Sequence, residues 1–135
     1  MKKVFRTIMT FFVVCIVIVV SNFFIKGVPL FGVPDAENVE QIVVKHNDYP
    51  DEVKAYTDKN KIEVAIALLG YLNYAPLKNL TDDNQLIEIT YIMNDGTELI
   101  VSANNHTVWW KGKPRAICEE GMFAKMCTAV FFLQN

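Results

Sequence analysis

Residues 86–103 have the sequence LIEITYIMNDGTELIVSA, in which apolar and polar side chains alternate. A hydrophobic period of two is typical of strands with one buried face. Between the two apolar runs, Asn94, Asp95 and Gly96 tolerate the positive φ angles that a tight turn requires. The stretch therefore predicts a β-hairpin with strands over residues 86–93 and 97–103.

Other segments rich in β-branched or aromatic residues flank this hairpin and are bounded by turn-prone residues. They are VEQIVVK at 39–45, TVWWK at 107–111 and the short stretch 115–118. Residues 51–56 are ambiguous. Together with the hairpin, these segments predict an antiparallel sheet of four to five strands.

Two further segments have apolar residues at helical spacing. Thr57 can cap a helix that begins at Asp58 and ends before Pro76. The buried face of this helix is expected to contain Ile62, Ala65, Ile66, Leu69 and Leu72. Residues 121–133 (GMFAKMCTAVFFL) predict a second helix, with a last strand as the alternative. The order of elements predicts an α+β fold with one or two helices packed on one face of the sheet.

The N-terminal region contains a charge-free apolar run over residues 8–25 (IMTFFVVCIVIVVSNFFI), preceded by three basic side chains, Lys2, Lys3 and Arg6. As a helix this run is ~27 Å long, close to the thickness of a bilayer core. The positive flank places the N-terminus in the cytoplasm. A signal peptide cleaved at Ser21 is the alternative, but no A-x-A motif stands there.

We therefore expect residues 1–26 to be a retained transmembrane signal anchor that contacts the membrane through residues 7–25. The protein would be a single-pass component of the cell membrane with an extracellular C-terminal domain. Residues 27–34 contain two Gly and two Pro, which predicts an extended tether without a paired strand. The domain then spans residues 35–135, a common size for one domain with a modest core.

The charge of this domain argues against nucleic-acid binding. The chain has 13 Lys and Arg against 15 Asp and Glu, and three of the bases precede the apolar run. Without those three, the net charge is −5. An acidic domain without a basic stripe is not expected to bind phosphate backbones.

No motif for catalysis or nucleotide binding is present, so neither an enzyme nor a cofactor is expected. His46 and His106 lie in turn-like segments, and a solvated loop histidine is the favoured interpretation of each. The acidic residues cluster at Asp48, Asp51 and Glu52, at Asp82 and Asp83, and at Glu119 and Glu120. None of these clusters has the spacing of a calcium loop, so solubilising charge is favoured and no metal is expected.

The cysteines leave two alternatives open. Cys118 and Cys127 belong to the exported region, where a disulfide can persist and would contribute ~2–3 kcal/mol to stability. Two buried thiols are equally consistent with the spacing, because the distance between the two residues is not known. Cys15 is interpreted as a membrane-buried thiol.

Trp109 and Trp110 are adjacent on a predicted strand, so their side chains should leave opposite faces of the sheet. One is then expected in the core. The other is either covered by a helix or partly exposed, and an exposed aromatic side chain is a common anchor for a partner or ligand. Ordinary packing of both rings is the alternative.

Three segments, VPLFGVP, YPDEVKAYTDKNKIEVAIALLGYLNYAPL and IEITYIMNDGTELIVSANNHTVWWKGK, cover most of residues 28–113. In these segments the chain resembles a family of small membrane-anchored or secreted domains of unknown function from Gram-positive, clostridia-like bacteria. The shared features are structural: a helix after a T-D start, a D-G hairpin and a V-W-x-x-G-K element. The resemblance implies location and fold but no activity.

The expected function is a non-catalytic binding or sensory module of the cell envelope. Its partner would be an envelope protein or a cell-surface ligand, bound near Trp109 or Trp110. One alternative is an inhibitor, immunity or assembly partner of another envelope protein. The other is a small hydrolase that uses His46 or His106 with nearby acids.

Overall fold

A computed structural model of the chain describes residues 1–80 and 84–133. Its helices are α1 (Lys2–Lys26), α2 (Lys59–Gly70) and α3 (Met122–Phe131), and a 3-10 turn covers Ala36–Asn38. Its strands are β1 (Val28–Pro29), β2 (Val39–His46), β3 (Lys54–Tyr56), β4 (Asn73–Tyr74), β5 (Ile87–Met93), β6 (Glu98–Ala103), β7 (Thr107–Trp110) and β8 (Lys113–Ala116). The α+β class is confirmed, and the C-terminal segment is a helix rather than a strand.

The main sheet has the strand order β3-β2-β5-β6-β7-β8, with every neighbouring pair antiparallel. It has six strands, so the expected count of four to five is too low. The additional strand is β3, which lies in the ambiguous segment and becomes a strand by pairing with β2. The hairpin β5–β6 is confirmed, and its turn residue Gly96 has a φ of 83°.

Both α2 and α3 lie on one face of the sheet, as predicted. The buried side chains of this inner face are Ile42, Val44, Ile87, Ile89, Tyr91, Val101, Ala103, Val108 and Trp110. The two helices bury Ile62, Ala65, Leu68, Leu69, Phe123, Ala124, Cys127 and Phe131. The Tyr91 hydroxyl donates to the Ala65 carbonyl at 3.0 Å and so fixes α2 over the central strand.

Helix α2 begins one residue later than predicted. Its N-cap is Asp58, whose carboxylate accepts a hydrogen bond from the Lys61 amide at 3.4 Å. Thr57 is therefore not the cap. Asp58 keeps an extended backbone and a carboxylate oxygen directed at the first free amides, which is the geometry that an N-cap requires.

Helix α1 has 25 residues and contains an 18-residue window with a mean hydropathy of 2.8, and none of its residues is buried against the domain. It is long and apolar enough to span a membrane, and a signal sequence has the same properties. Its C-cap, Gly27, has a φ of 77°, so the chain leaves the helix through a left-handed residue.

The segment after α1 is part of the fold rather than an unpaired tether. Val28 pairs with Tyr74 and Pro29 with Asn73, so the expectation that Pro and Gly exclude a paired strand is wrong here. Proline is tolerated because β1 is an edge strand. Leu30 is buried, and the Trp110 indole N–H donates to the Phe31 carbonyl at 3.2 Å. Residues 28–31 therefore lie against the domain.

Candidate binding surface

Within residues 1–80 and 84–133, no helix lies over the outer face of the main sheet, because α2 and α3 both cover the inner face. In its centre Val43, Thr90 and Ile100 lie side by side on β2, β5 and β6. Ile100 is 48% exposed. On the same face, Ser102 lies opposite Trp109. The outer face therefore presents aliphatic and aromatic side chains at its centre.

Beside Ile100 this face forms an open groove of ≈ 620 Å³. The residues that line it are Gln85, Glu88, Glu98, Leu99, Ile100, Ser102, Trp109, Lys111 and Gly112. We call it the outer-sheet groove. Glu88 forms an ion pair with Lys45 at 3.4 Å, and Glu98 is exposed at the end of β6. The groove thus combines an apolar floor with a mainly acidic rim.

The two tryptophans leave opposite faces of the sheet, as the alternation predicts. Trp109 is half-buried on the outer face and lines the outer-sheet groove. Trp110 is only 5% exposed and belongs to the core. Of the pair, Trp109 is therefore the one that a partner could contact through the outer face.

His46 lies at the end of β2 and is 4% exposed, so its interpretation as a solvated loop histidine is wrong. Its Nδ1 accepts a hydrogen bond from the Asp48 amide at 3.1 Å, which places the ring proton on Nε2. Nε2 lies 3.0 Å from the Thr128 hydroxyl, which donates to the Ala124 carbonyl at 2.8 Å. A neutral histidine therefore connects the sheet to α3.

Burial lowers the pKa of His46, and the nearby Asp48 carboxylate offsets part of this effect. The rings of Tyr49 and Phe132 contact the imidazole, with centroid distances of 5.1 Å and 5.3 Å. These contacts, the hydrogen bonds and the burial give His46 a structural role. The sequence carried one signal of it, the position of His46 at the end of a β-branched strand in the inward register.

His46 should make stability depend on pH. Since its pKa is lower in the folded state, the unfolded chain binds the proton more tightly, and stability is lost as pH falls below the unfolded value near 6.5. Urea unfolding from about pH 7.5 to about pH 5 measures this loss. His46→Gln should weaken the pH dependence and lower stability at the upper pH by about 1–3 kcal/mol. His106→Gln is the control, and an unchanged profile in His46→Gln would refute the assignment.

His106 is half-buried, and its Nδ1 lies 3.2 Å from the Glu120 carboxylate, which also pairs with Lys78. The hydrogen bond and charge of Lys78 lower the pKa of Glu120, with a smaller contribution from His106. The side chains of His106 and Glu120 are 43% and 46% exposed. The distance suits the hydrolase alternative, but the pair lies on open surface rather than in a cleft.

The other acidic residues do not form a site in the described residues. Glu52 pairs with Lys54 at 3.2 Å, and Asp48 approaches His46. Asp82 and Asp83 lie outside the residues that the structure describes. Within residues 1–80 and 84–133, no three His, Cys, Asp or Glu side chains are close enough to hold a metal ion.

Cys118 and Cys127 are free thiols in different surroundings, so the disulfide alternative is not realised in the structure. Cys127 is buried on the inner side of α3, and burial raises its pKa to about 12. Cys118 is half-buried beside Gly27, at the point where α1 joins the domain. Burial also raises the pKa of Cys118. Cys15 is a free thiol on the exposed surface of α1.

A second groove, of ≈ 210 Å³, lies at the β8 edge of the sheet. It is lined by Phe31, Tyr74, Trp110, Lys111, Lys113 and Arg115, and we call it the basic groove. Arg115 stacks over the Tyr74 ring at 4.4 Å, and the Lys111 ammonium lies 5.6 Å from the Trp110 ring centre. The acidic net charge of the domain conceals this cluster in the sequence.

The described surface thus offers two grooves with different chemistry. The outer-sheet groove suits an apolar group with a neutral or cationic neighbour, and the basic groove suits an anion. No protein-family model, curated protein or solved structure matches the chain, so the resemblance to small anchored Gram-positive domains stays a prediction.

Proposed function

We propose that the protein is a single-pass, membrane-anchored binding module whose domain lies outside the cytoplasm. Its outer-sheet groove binds an envelope protein or a cell-surface ligand. The observation that carries this proposal is the uncovered sheet face with Ile100 48% exposed at its centre. Val43, Ile92, Ile100 and Trp109 form an apolar centre on this face. The polar side chains around them on the same face are Gln41, Lys45, Glu88, Thr90, Glu98 and Ser102.

The anchor is supported by α1. Its exposed apolar surface has no place in an aqueous environment, and none of it is buried against the domain. Lys2, Lys3 and Arg6 precede or begin the apolar run, which favours a cytoplasmic N-terminus. The run continues through Phe23 and Phe24 without a good cleavage motif, which favours retention of the helix.

The chemistry of the outer-sheet groove restricts the partner. Trp109 offers an aromatic face and Ile100 an aliphatic surface, which together suit an apolar side chain or ring. Glu88, which pairs with Lys45, and Glu98 lie at the rim, whereas the Lys111 ammonium lies over the Trp110 ring in the basic groove. The groove therefore favours a neutral or cationic partner group over an anionic one.

The proposal is tested by crosslinking the full chain in its native membranes and identifying the captured partner. Ile100→Asp together with Trp109→Ala should lower partner affinity by roughly 30-fold, because central apolar and aromatic contacts contribute about 2 kcal/mol or more. Val53→Asp is the matched control, since Val53 is 56% exposed outside the groove. The identity of the captured protein would show whether the chain is an inhibitor, an immunity protein or an assembly partner.

Two results would contradict the proposal. Equal crosslinking yields in the control and the double variant would show that the outer-sheet groove is not the contact surface. Release of the chain from native membranes by alkaline carbonate would contradict the assignment of α1 as a membrane anchor. Each result concerns a different part of the proposal, so the two parts are tested separately.

A further inference from the structure

The three cations of the basic groove lie together without an acidic partner. Among the described residues, 1–80 and 84–133, Lys111, Lys113 and Arg115 take part in no ion pair. The Nε of Arg115 is buried and has no hydrogen-bond acceptor in this part of the protein. The groove therefore presents three positive charges that no carboxylate in the described part of the chain neutralises, which favours an anionic ligand with oxygen acceptors.

Aromatic side chains contact two of these three cations, Lys111 and Arg115. Arg115 stacks on Tyr74, and the Trp110 indole is hydrogen-bonded to the Phe31 carbonyl at 3.2 Å. A Cβ at Gly32 would overlap the Lys111 ammonium. The Lys111 side chain therefore lies directly against the backbone at Gly32. The groove is therefore organised before any ligand binds, which reduces the entropy lost on binding.

The groove is also close to the end of α1. Phe31 is five residues beyond Lys26, so the two are at most about 17 Å apart along an extended chain. The headgroup layer of a bilayer is roughly 5–8 Å thick on each side. Phe31 is 67% exposed, and aromatic residues beside Lys and Arg are typical of the membrane interface. The pairing of β1 with β4 keeps the groove at this distance.

We propose that the basic groove binds the phosphate groups of anionic phospholipids in the leaflet beside the domain. The proposal rests on the anchor given under the proposed function. Guanidinium and ammonium groups are the usual ligands of phosphate, and the exposed Phe31 ring can enter the interface next to them. Because the rest of the domain is acidic, an anionic surface repels it and attracts the groove, so the contact also orients the domain.

Amide hydrogen exchange of the full chain in nanodiscs tests this proposal. In equimolar phosphatidylcholine and phosphatidylglycerol, exchange over residues 111–116 should be slower by roughly fivefold or more than in phosphatidylcholine alone, since each cation near an anionic surface contributes about that factor. Lys113→Gln with Arg115→Gln should abolish the difference, and neither of these residues lines the outer-sheet groove. Lys59→Gln with Lys125→Gln is the control, because both side chains are exposed outside the groove.

Several outcomes would overturn the proposal. Equal exchange rates in the two lipid compositions would contradict recognition of anionic lipid. Equal slowing of exchange in both double variants would show that the basic groove is not the lipid-binding site. The same slowing by inorganic phosphate in phosphatidylcholine nanodiscs would assign the groove to free anions instead. The crosslinking experiment tests the outer-sheet groove separately through Ile100 and Trp109, because Lys113 and Arg115 do not line that groove.

Discussion

Gly27→Ala should weaken the docking of β1 on β4 by roughly 2–6 kcal/mol. Gly27 has a φ of 77° and a ψ of 179°, a combination that is essentially restricted to glycine and costs another residue about 1–3 kcal/mol. The added Cβ would also overlap the Cys118 sulfur and lie 2.9 Å from the Tyr74 carbonyl oxygen, and such overpacking costs about 1–3 kcal/mol. Urea unfolding, together with amide exchange over residues 28–30 and 73–75, measures the effect.

Gly96→Ala is the matched control for this prediction. Gly96 has a φ of 83°, but a Cβ there would meet no atom within 4 Å. Its substitution should therefore cost only the backbone part, about 1–2 kcal/mol. Adding Cys118→Ala to Gly27→Ala should restore part of the loss, because it removes one of the two clashes. Equal losses in the two glycine variants would show that the contact with Cys118 and Tyr74 does not matter.

Asn104→Ala should lower the free energy of unfolding by roughly 2–5 kcal/mol. Asn104 is 5% exposed, and its Oδ1 accepts hydrogen bonds from the amides of His106 at 2.8 Å and Thr107 at 2.7 Å. Its Nδ2 donates to the Asn84 carbonyl at 2.7 Å. Without the side chain these amides lose their acceptor at the turn between β6 and β7, and each unsatisfied buried group costs about 1–3 kcal/mol.

The neighbouring residue supplies the control for Asn104. Asn105 is exposed, so Asn105→Ala should change stability by less than about 0.5 kcal/mol. Asn104→Asp keeps the acceptor oxygen for the two amides but loses the donor to Asn84, and its stability should be intermediate. If the alanine variants at 104 and 105 unfold at the same urea concentration, the side chain of Asn104 does not organise the turn.

The hairpin and the tryptophan pair could be predicted because their signals are local. The strands of the hairpin begin and end within one residue of the predicted positions, since alternation and the turn residues Asn94, Asp95 and Gly96 act over short distances. The opposite directions of Trp109 and Trp110 follow from strand geometry alone. Helix α3 was predicted by its apolar spacing, although its apolar richness and terminal position also allowed a strand.

Features that depend on distant partners could not be predicted. Val28 and Pro29 form a strand only because Asn73 and Tyr74 lie opposite them. His46 is buried because α3 supplies Thr128 and a ring above it. In both cases tertiary contacts override the local preference for a loop.

The basic groove shows a different difficulty. Lys111, Lys113 and Arg115 follow a K-x-K-x-R pattern that places the last two on one face of a strand. That pattern is present in the sequence, but the acidic net charge of the domain conceals it. The contribution of Phe31 and Tyr74 could not have been foreseen, because these residues are brought to β8 by the fold.

The pairing of β1 with β4 also bears on how the domain could be shed. Proteases that release ectodomains bind their substrates as extended, accessible chain, and stalks next to membranes usually provide it. Here Val28 and Pro29 are already paired and Leu30 is buried, so, if α1 is the proposed anchor, cleavage within residues 28–30 requires this junction to open locally. The rate of release would then be set by the opening equilibrium of β1, and the same two-residue strand that positions the domain would determine its lifetime at the membrane.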